Sequence, residues 1–296
     1  MAVTQEQATM RQVWDQQSVW SQSANRLKKS VEAARSRALA LTVTAALLGA
    51  AASQVMGWSS RLGATLAFVA ALAAGMSPLL AHRGGLARTS DWIRTRAVSE
   101  ALKGEVYTSL AGVGPYADRP NAPTLLAERA RDLRRDAADL IRHTAGVSPV
   151  TRPLPPVVDL GTYVDHRLRR QIDTYYCPKA AWMQSRVELF GKVELAFGAL
   201  GALLAAAAGA FTIGGLAAWA GVIASVSIAV TAHVTAQRYT YQHLEFLRTA
   251  EELQHLLDRW TADPAVTGEG AEAFVSQCEH VISIQNEAWM VRWTVG

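Results

Sequence analysis

The residues with chemistry to offer sit inside or beside long uncharged runs. Glu194 stands at the start of one run, on the helical face of Gly198 and Ala205. A carboxylate in or beside a bilayer is costly and usually faces a cavity or a partner, which makes Glu194 a candidate for an ion path or a ring of charge between copies. Its place near a helix N-terminus is also stabilising by itself, so a plain interfacial role stands beside that one. In the following run, Ser227, Thr231 and Thr235 recur at i, i+4 and i+8, which puts three hydroxyls on one face and makes them candidate pore-lining groups. His233, about one turn from the end of the same run, has either a pH-sensing role or a plain hydrogen bond to a neighbouring helix. Nothing resembles an enzyme: GxGxxG, P-loop, HExxH, CxxC and GxSxG patterns are absent, and the seven histidines show no metal spacing. Cys177 and Cys278 are too few for a disulfide framework or a zinc site, and their scarcity suits a reducing compartment. No catalytic residue, cofactor or metal is expected.

The elements that must carry these groups follow from composition. Of 296 residues, 50% are apolar and only 18% charged, against about a quarter charged in soluble chains. The mean hydropathy of +0.08 is an average over very unequal blocks. Uncharged spans run over about 38–56, 62–81, 195–211 and 216–236, the last interrupted only by His233. Nineteen helical residues cover about 28 Å, close to a bilayer's hydrocarbon thickness. Gly57 to Arg61 joins the first pair, and Thr212 to Gly215 the second, so each pair must fold as an antiparallel hairpin. Buried helices of a soluble bundle are the alternative, since Ala and Gly dominate the spans. Uncharged runs of this length argue against it.

The charges at the span ends are one-sided. Fourteen basic residues lie near the outer ends (Arg26, Lys28, Lys29, Arg35, Arg37, Arg83, Arg88, Arg94, Arg96, Lys179, Arg186, Lys192, Arg238 and Arg248), and one, Arg61, lies at a tip. By the positive-inside rule both termini and the central segment are cytoplasmic. Trp58 and Trp219 sit where an aromatic belt would place them. The net charge of +4 is therefore a topology signal, and no nucleic-acid partner is expected. The first apolar run begins too late, behind a polar amphipathic stretch, for a cleaved signal peptide.

Outside the spans the apolar residues keep helical spacing. Val13, Gln17, Trp20, Ala24, Leu27, Val31, Ala34, Ala38 and Leu41 predict one helix running unbroken into the first span. Tyr239, His243, Phe246, Ala250, Leu253, Leu257 and Trp260 repeat the pattern after the fourth. Leu126, Ala130, Leu133, Ala137 and Leu140 do so on a segment whose alternating charges read as a solvated, ion-paired face. Val164, Leu168, Ile172, Tyr176, Met183 and Val187 predict a helix leading into the third span, which Pro178 should kink or interrupt. A last helix, about 271–290, presents Val275, Cys278, Ile282 and Trp289. Pro149, Pro153, Pro155 and Pro156 make 149–161 an extended spacer. No strand is expected. The fold class is an all-α membrane protein, two transmembrane hairpins continuous with long cytoplasmic helices that form a bundle. The units are 1–148 and 162–296, an internal duplication.

Two stretches carry a family resemblance. Tyr163, Val164, Asp165, His166, Arg167, Leu168, Arg169, Arg170, Gln171, Ile172, Asp173, Thr174, Tyr175 and Tyr176, then Lys179 and Ala180, precede a hairpin and resemble the leading helix of bacterial SLATT domains. These are two-transmembrane effectors associated with nucleotide second messengers and SLOG systems. Trp92, Arg94, Arg96, Ala97, Ser99, Glu100, Lys103 and Tyr107, with Pro115 and Tyr116, resemble the trailing helix of a second SLATT subtype. The motif residues are thus Tyr163, Arg167, Gln171 and Tyr175 with Trp92, Arg96, Glu100 and Lys103, and the tandem covers nearly the whole chain. The resemblance implies an inner-membrane effector of a prokaryotic conflict system that forms or gates a pore, or perturbs the bilayer, when a sensor or nucleotide-signalling partner encoded nearby is triggered. Four spans leave little room for a channel within one chain, so a homo-oligomer in the lipid bilayer is expected. The alternative is a non-conducting membrane scaffold or assembly protein that oligomerises through its cytoplasmic helices.

Overall fold

The computed structural model of the chain describes residues 2–211, 214–263 and 267–294. Every regular element among them is helical: α1 Ala2–Val55, α2 Ser60–Arg83, α3 Leu86–Ala111, α4 Ala122–Asp136, α5 Leu160–Tyr163, α6 Cys177–Phe211, α7 Gly214–Gln237, α8 Tyr239–Ala262 and α9 Glu269–Thr294. Four of these helical stretches are long and apolar enough to cross a membrane, and the chain is an all-α membrane protein. Thr212 and Ile213 of the second tip, and the side chain of Trp289, lie outside the described residues.

Contacts divide the chain into two compact units, each drawing on both halves of the sequence. One comprises Met1–Lys29, Leu86–Ala180 and Leu244–Gly296; the other comprises Ser30–Gly85 and Ala181–His243.

The first unit has the larger buried core. From α1 it takes Val13, Trp20, Ala24 and Leu27; from α4, Leu126 and Ala130; from α8, Phe246, Ala250, Leu253 and Leu257; from α9, Val275, Cys278 and Ile282. Each set follows the three-and-four spacing of a helical face. The expected ion-paired face on α4 is present, with Arg135 3.1 Å from Asp132 and Arg129 3.4 Å from Glu105. Gln17, a polar residue on the α1 stripe, is buried because it donates to Ser99 Oγ at 2.9 Å and accepts from Arg152.

The proline-rich stretch is extended, as its composition demands, but it does not hang free. Val150 N–H donates to Ser18 Oγ (3.0 Å), Trp14 Nε1–H donates to the Pro153 carbonyl (3.1 Å), and Val157 is buried. The four prolines each lack a backbone donor, and the strap is tied largely through side chains of α1. It ends at Asp159, whose carboxylate accepts from Thr162 N–H at 2.8 Å in a reciprocal capping box that starts α5.

After α5 the chain winds with wider i→i+5 turns over Val164–Arg169 and again over Ile172–Tyr176. Pro178 then lies in the first turn of α6, where a proline is tolerated. The interruption expected at Pro178 takes this form. Mixing α turns with wider ones brings the average toward about four residues per turn, and two adjacent rows at spacing four confirm it. Val164, Leu168, Ile172 and Tyr176 are all buried, and so are Tyr163, Arg167 and Gln171.

In the second unit, α2 begins at Ser59, whose Oγ caps Leu62 N–H. Gly63 packs so tightly on the tip that a Cβ there would stand 2.9 Å from the Met56 Cα. Val222, Val226 and Val230 of α7 form a small core with Val43, Ala46 and Ala50 of α1 and Phe190, Val193 and Phe197 of α6. Thr42 and Ser77 share a hydrogen bond of 2.7 Å, and Ser77 also donates to the Ala38 carbonyl. Arg35 donates to the carbonyls of Gly84 (3.1 Å) and Ala236 (3.0 Å), a cation at the C-terminal ends of α2 and α7. Phe190 stacks on Tyr239 at 5.6 Å, beside Trp182. Arg238, at φ 52°, separates α7 from α8.

Burial, then the adjacent Glu279 carboxylate, pushes the Cys278 thiol well above the ordinary thiol range, whereas Cys177 is exposed. A neutral buried thiol is a poor nucleophile. Maleimide at neutral pH should therefore modify Cys177 and spare Cys278 until the protein unfolds, which peptide mass spectrometry reads directly.

Candidate functional site

Seven of the eight motif residues gather around one buried charge. On α3, Arg96, Glu100, Lys103 and Tyr107 follow one another at spacings of four, three and four, which stacks them on one face. The wide-turned segment after α5 brings Tyr163, Arg167, Gln171 and Tyr175 to the same place. Arg167 is the centre, with 1% of its side chain exposed.

A guanidinium so buried must be neutralised by fixed acceptors. Its Nε and Nη2 donate to the two carboxylate oxygens of Glu279 at 2.9 and 2.6 Å, the bidentate geometry that suits a planar fork. Tyr163 Oη–H donates to the same carboxylate at 2.8 Å. The Arg167 plane lies 4.9 Å from the Tyr107 ring centre, and Tyr107 meets Tyr163 and Trp14 edge-on. Glu100 Oε2 stands 3.8 Å from both Arg167 Nη1 and Lys103 Nζ, within ion-pair range but beyond hydrogen bonding. Arg96 donates to Tyr175 Oη and stacks on that ring. Gln171 is buried on the same inward row. Trp92, the eighth motif residue, packs under Lys28 with its ring centre 5.7 Å away.

The charge states follow from these neighbours. Burial alone would lift the Glu100 carboxyl, but Lys103, Arg167 and Arg96 together hold it below the usual carboxylate range. Burial would lower Arg167; the ion pair and hydrogen bond to Glu279, helped by Glu100, keep it above the ordinary arginine range. Lys103 is held below its ordinary range by burial, with Arg167 and Arg96 opposing the attraction of Glu100. The Tyr163 hydroxyl is pushed far up by burial and by Glu279, so it is a committed donor.

Gly104 is what lets α9 approach α3, on which it packs extensively. A Cβ at Gly104 would stand 2.8 Å from Glu279 Oε2. Behind this contact lies a cavity of about 490 Å³, lined by Glu100, Gly104, Glu105, Glu279 and His280 among others. No group of three or more His, Cys, Asp or Glu side chains suited to a metal occurs among the described residues.

Glu279, Arg152 and Gly104 escaped the sequence reading, and Tyr107 entered it only within the family resemblance. Glu279 carried a signal: it stands four residues after Val275 and three before Ile282, a carboxylate on an otherwise apolar face.

The candidates within the spans are placed differently. Glu194 Oε1 accepts from Thr231 Oγ1 at 2.8 Å, a direct α6 to α7 contact. Ser227, Thr231 and Thr235 share one outer face of α7, with Thr231 and Thr235 exposed. His233 points elsewhere, with its ring 6.3 Å from Phe190. The structure thus joins Glu194 to Thr231 and leaves His233 apart from the hydroxyl row.

Comparison with known families matches both halves. Residues 163–289 match the model described as SMODS and SLOG-associating 2TM effector domain 1, and residues 18–124 match one described as Protein of unknown function (DUF4231). No curated protein and no solved structure matches the chain.

Truncating one member of a buried ion pair leaves the other uncompensated, at a cost of about 3–5 kcal/mol. Glu279→Ala should lose stability on that scale in denaturant unfolding of the detergent-solubilised protein. Arg94→Ala, which breaks an exposed 2.6 Å pair with Asp139, should cost about 0–1 kcal/mol. A depressed carboxyl contributes stability above its unfolded-state pKa and loses it as pH falls through the lower folded value. Acid unfolding should thus steepen below about pH 4, and Glu100→Gln should flatten that limb.

Proposed function

We propose that this chain, a tandem SLATT-type protein and so kin to the two-transmembrane effectors of bacterial conflict systems, acts as an oligomer in the bacterial inner membrane, with both termini cytoplasmic, where its spans form or gate a pore. The observation that carries the reading is the Glu194 to Thr231 contact in spans that the chain itself hardly covers. At most 17% of any of the four apolar windows is buried, and in the third none is. Lipid tails offer a carboxylate and three hydroxyls no hydrogen bonds, so a polar face on such a helix calls for protein or water. Copies of the chain around an axis supply both. The fourteen-to-one bias of basic residues toward the outer span ends supports the orientation. Nucleotide signalling through a separate sensor enters from the family alone.

A non-conducting scaffold is the second reading. It is favoured by glycines with open space around them, Gly49, Gly198, Gly209 and Gly221, which permit close helix packing against another chain without any water path.

Inducing the protein in a bacterium together with its operon neighbours, and following membrane potential with a dye, separates the two. Depolarisation that Glu194→Gln or Thr231→Val weakens severalfold at equal membrane abundance is expected. An oligomer on native gels with unchanged potential would leave only the scaffold.

A further inference from the structure

A second cavity, of about 420 Å³, opens on the other side of the Arg167 cluster, between α3, the proline strap and the wide-turned helix. Its charged lining is one-signed: Lys103, Arg152, Arg167 and Arg170, with His166 beside them, and no carboxylate among the lining residues. Two of these cations have buried donors with no hydrogen-bond acceptor, Arg152 Nε and Arg167 Nη1. Arg167 is almost wholly enclosed, and its nearest anionic atom on that side, Glu100 Oε2, is too far at 3.8 Å to accept.

We propose that this cavity binds a small phosphorylated molecule, with the phosphate held by Arg152, Arg167, Lys103 and Arg170. Leaving a charged donor buried and unpaired is expensive, and two such donors on one wall make a site that is complete only with an anion. Aromatic rings help hold the lining in position, beside the Glu279 carboxylate on Arg167. The Arg152 guanidinium lies 3.8 Å from the Trp14 ring centre and Arg167 4.9 Å from that of Tyr107. Stacking occupies the flat faces of a guanidinium, and of the in-plane N–H edges Arg152 Nε and Arg167 Nη1 remain for an oxyanion. Lys103 is depressed first by burial and further by Arg167 and Arg96, and an incoming anion would offset that repulsion. Counting Glu100 and Glu279 behind the wall and Asp15 beside Arg152, the four lining cations together with Arg96 still exceed the nearby carboxylates by two. A phosphate carries close to that charge and offers oxygens in several directions, which a carboxylate does not. The volume lies in the range of about 300–1,000 Å³ typical of ligand pockets and far exceeds a bare phosphate. Pro153, Leu154, Pro155 and Pro156 supply an apolar wall for the organic part. The phosphate belongs to a soluble ester or to a lipid headgroup, and the site stands whether or not the spans conduct.

Calorimetric titration of the full chain in neutral detergent at constant ionic strength tests this, with inorganic phosphate, pyrophosphate and ribose 5-phosphate as probes and ribose as control. Saturable binding of at least one phosphate probe and none of ribose is expected. Arg152→Gln and Arg170→Gln should each weaken it about tenfold, the effect of losing one charge-assisted hydrogen bond, while Arg131→Gln on exposed α4 leaves it unchanged. Arg170 is exposed, so its variant keeps the fold even if loosening the strap at Arg152 does not. Displacement of the probe by dioleoyl phosphatidic acid in the micelle assigns the lipid source, and its failure to displace assigns a soluble ester. The proposal is overturned if no phosphate probe binds the cooperatively folded protein, if both variants bind undiminished, or if acetate competes as well as phosphate.

Discussion

The first unit is organised around a guanidinium almost wholly withdrawn from bulk water. Arg167 has to be neutralised where it lies, and its fork admits few solutions: a carboxylate in its plane, an aromatic ring on its face, a second carboxylate nearby. Glu279, Tyr107 and Glu100 are those solutions, and they come from α9 and α3. Gly104 follows from the same demand, because any side chain there would displace the Glu279 carboxylate. Apolar burial around the cluster is non-directional and would tolerate sliding of one helix on another. The bidentate pair does not, so the ion-pair network sets the register that the apolar stripes leave open.

The second unit is built under a different solvent. Between helices in lipid there is little hydrophobic drive, and what remains is close packing and the satisfaction of polar groups. The valines of α7 against α1 and α6 supply the first; Thr42 with Ser77, and Arg35 on two helix-terminal carbonyls, supply the second. The Glu194 to Thr231 contact obeys the same rule, yet it lies on helices with little cover from their own chain. Small residues at Gly198, Gly209 and Gly221 have space around them that a monomer does not use.

The proline strap shows how a segment acquires its surroundings from tertiary structure. Prolines keep it extended and out of regular backbone pairing, α1 holds it by side chains, and the strap thereby carries Arg152 over Trp14. A stretch that composition marks only as a spacer thereby becomes one wall of a cationic cavity. The wide turns at 164–176 act similarly. They accommodate Pro178 downstream and keep two spacing-four rows facing inward, which a regular α-helix would let drift around its axis.

Sequence by itself determined the helical class, the four spans and the inner stripes of α1, α4, α8 and α9, because apolar periodicity and uncharged length are properties of consecutive residues. It also pointed to Arg96, Glu100, Lys103, Tyr163, Arg167, Gln171 and Tyr175 as motif residues. Only the tertiary structure decided that they meet, that Glu279 is their counter-charge, and that His233 stands apart from the hydroxyl row of α7. Those outcomes depend on pairings across more than 100 residues of chain, such as Arg167 with Glu279. Local spacing fixes which face a side chain takes on its own helix; the partner across that face is set by which buried charges can be neutralised together.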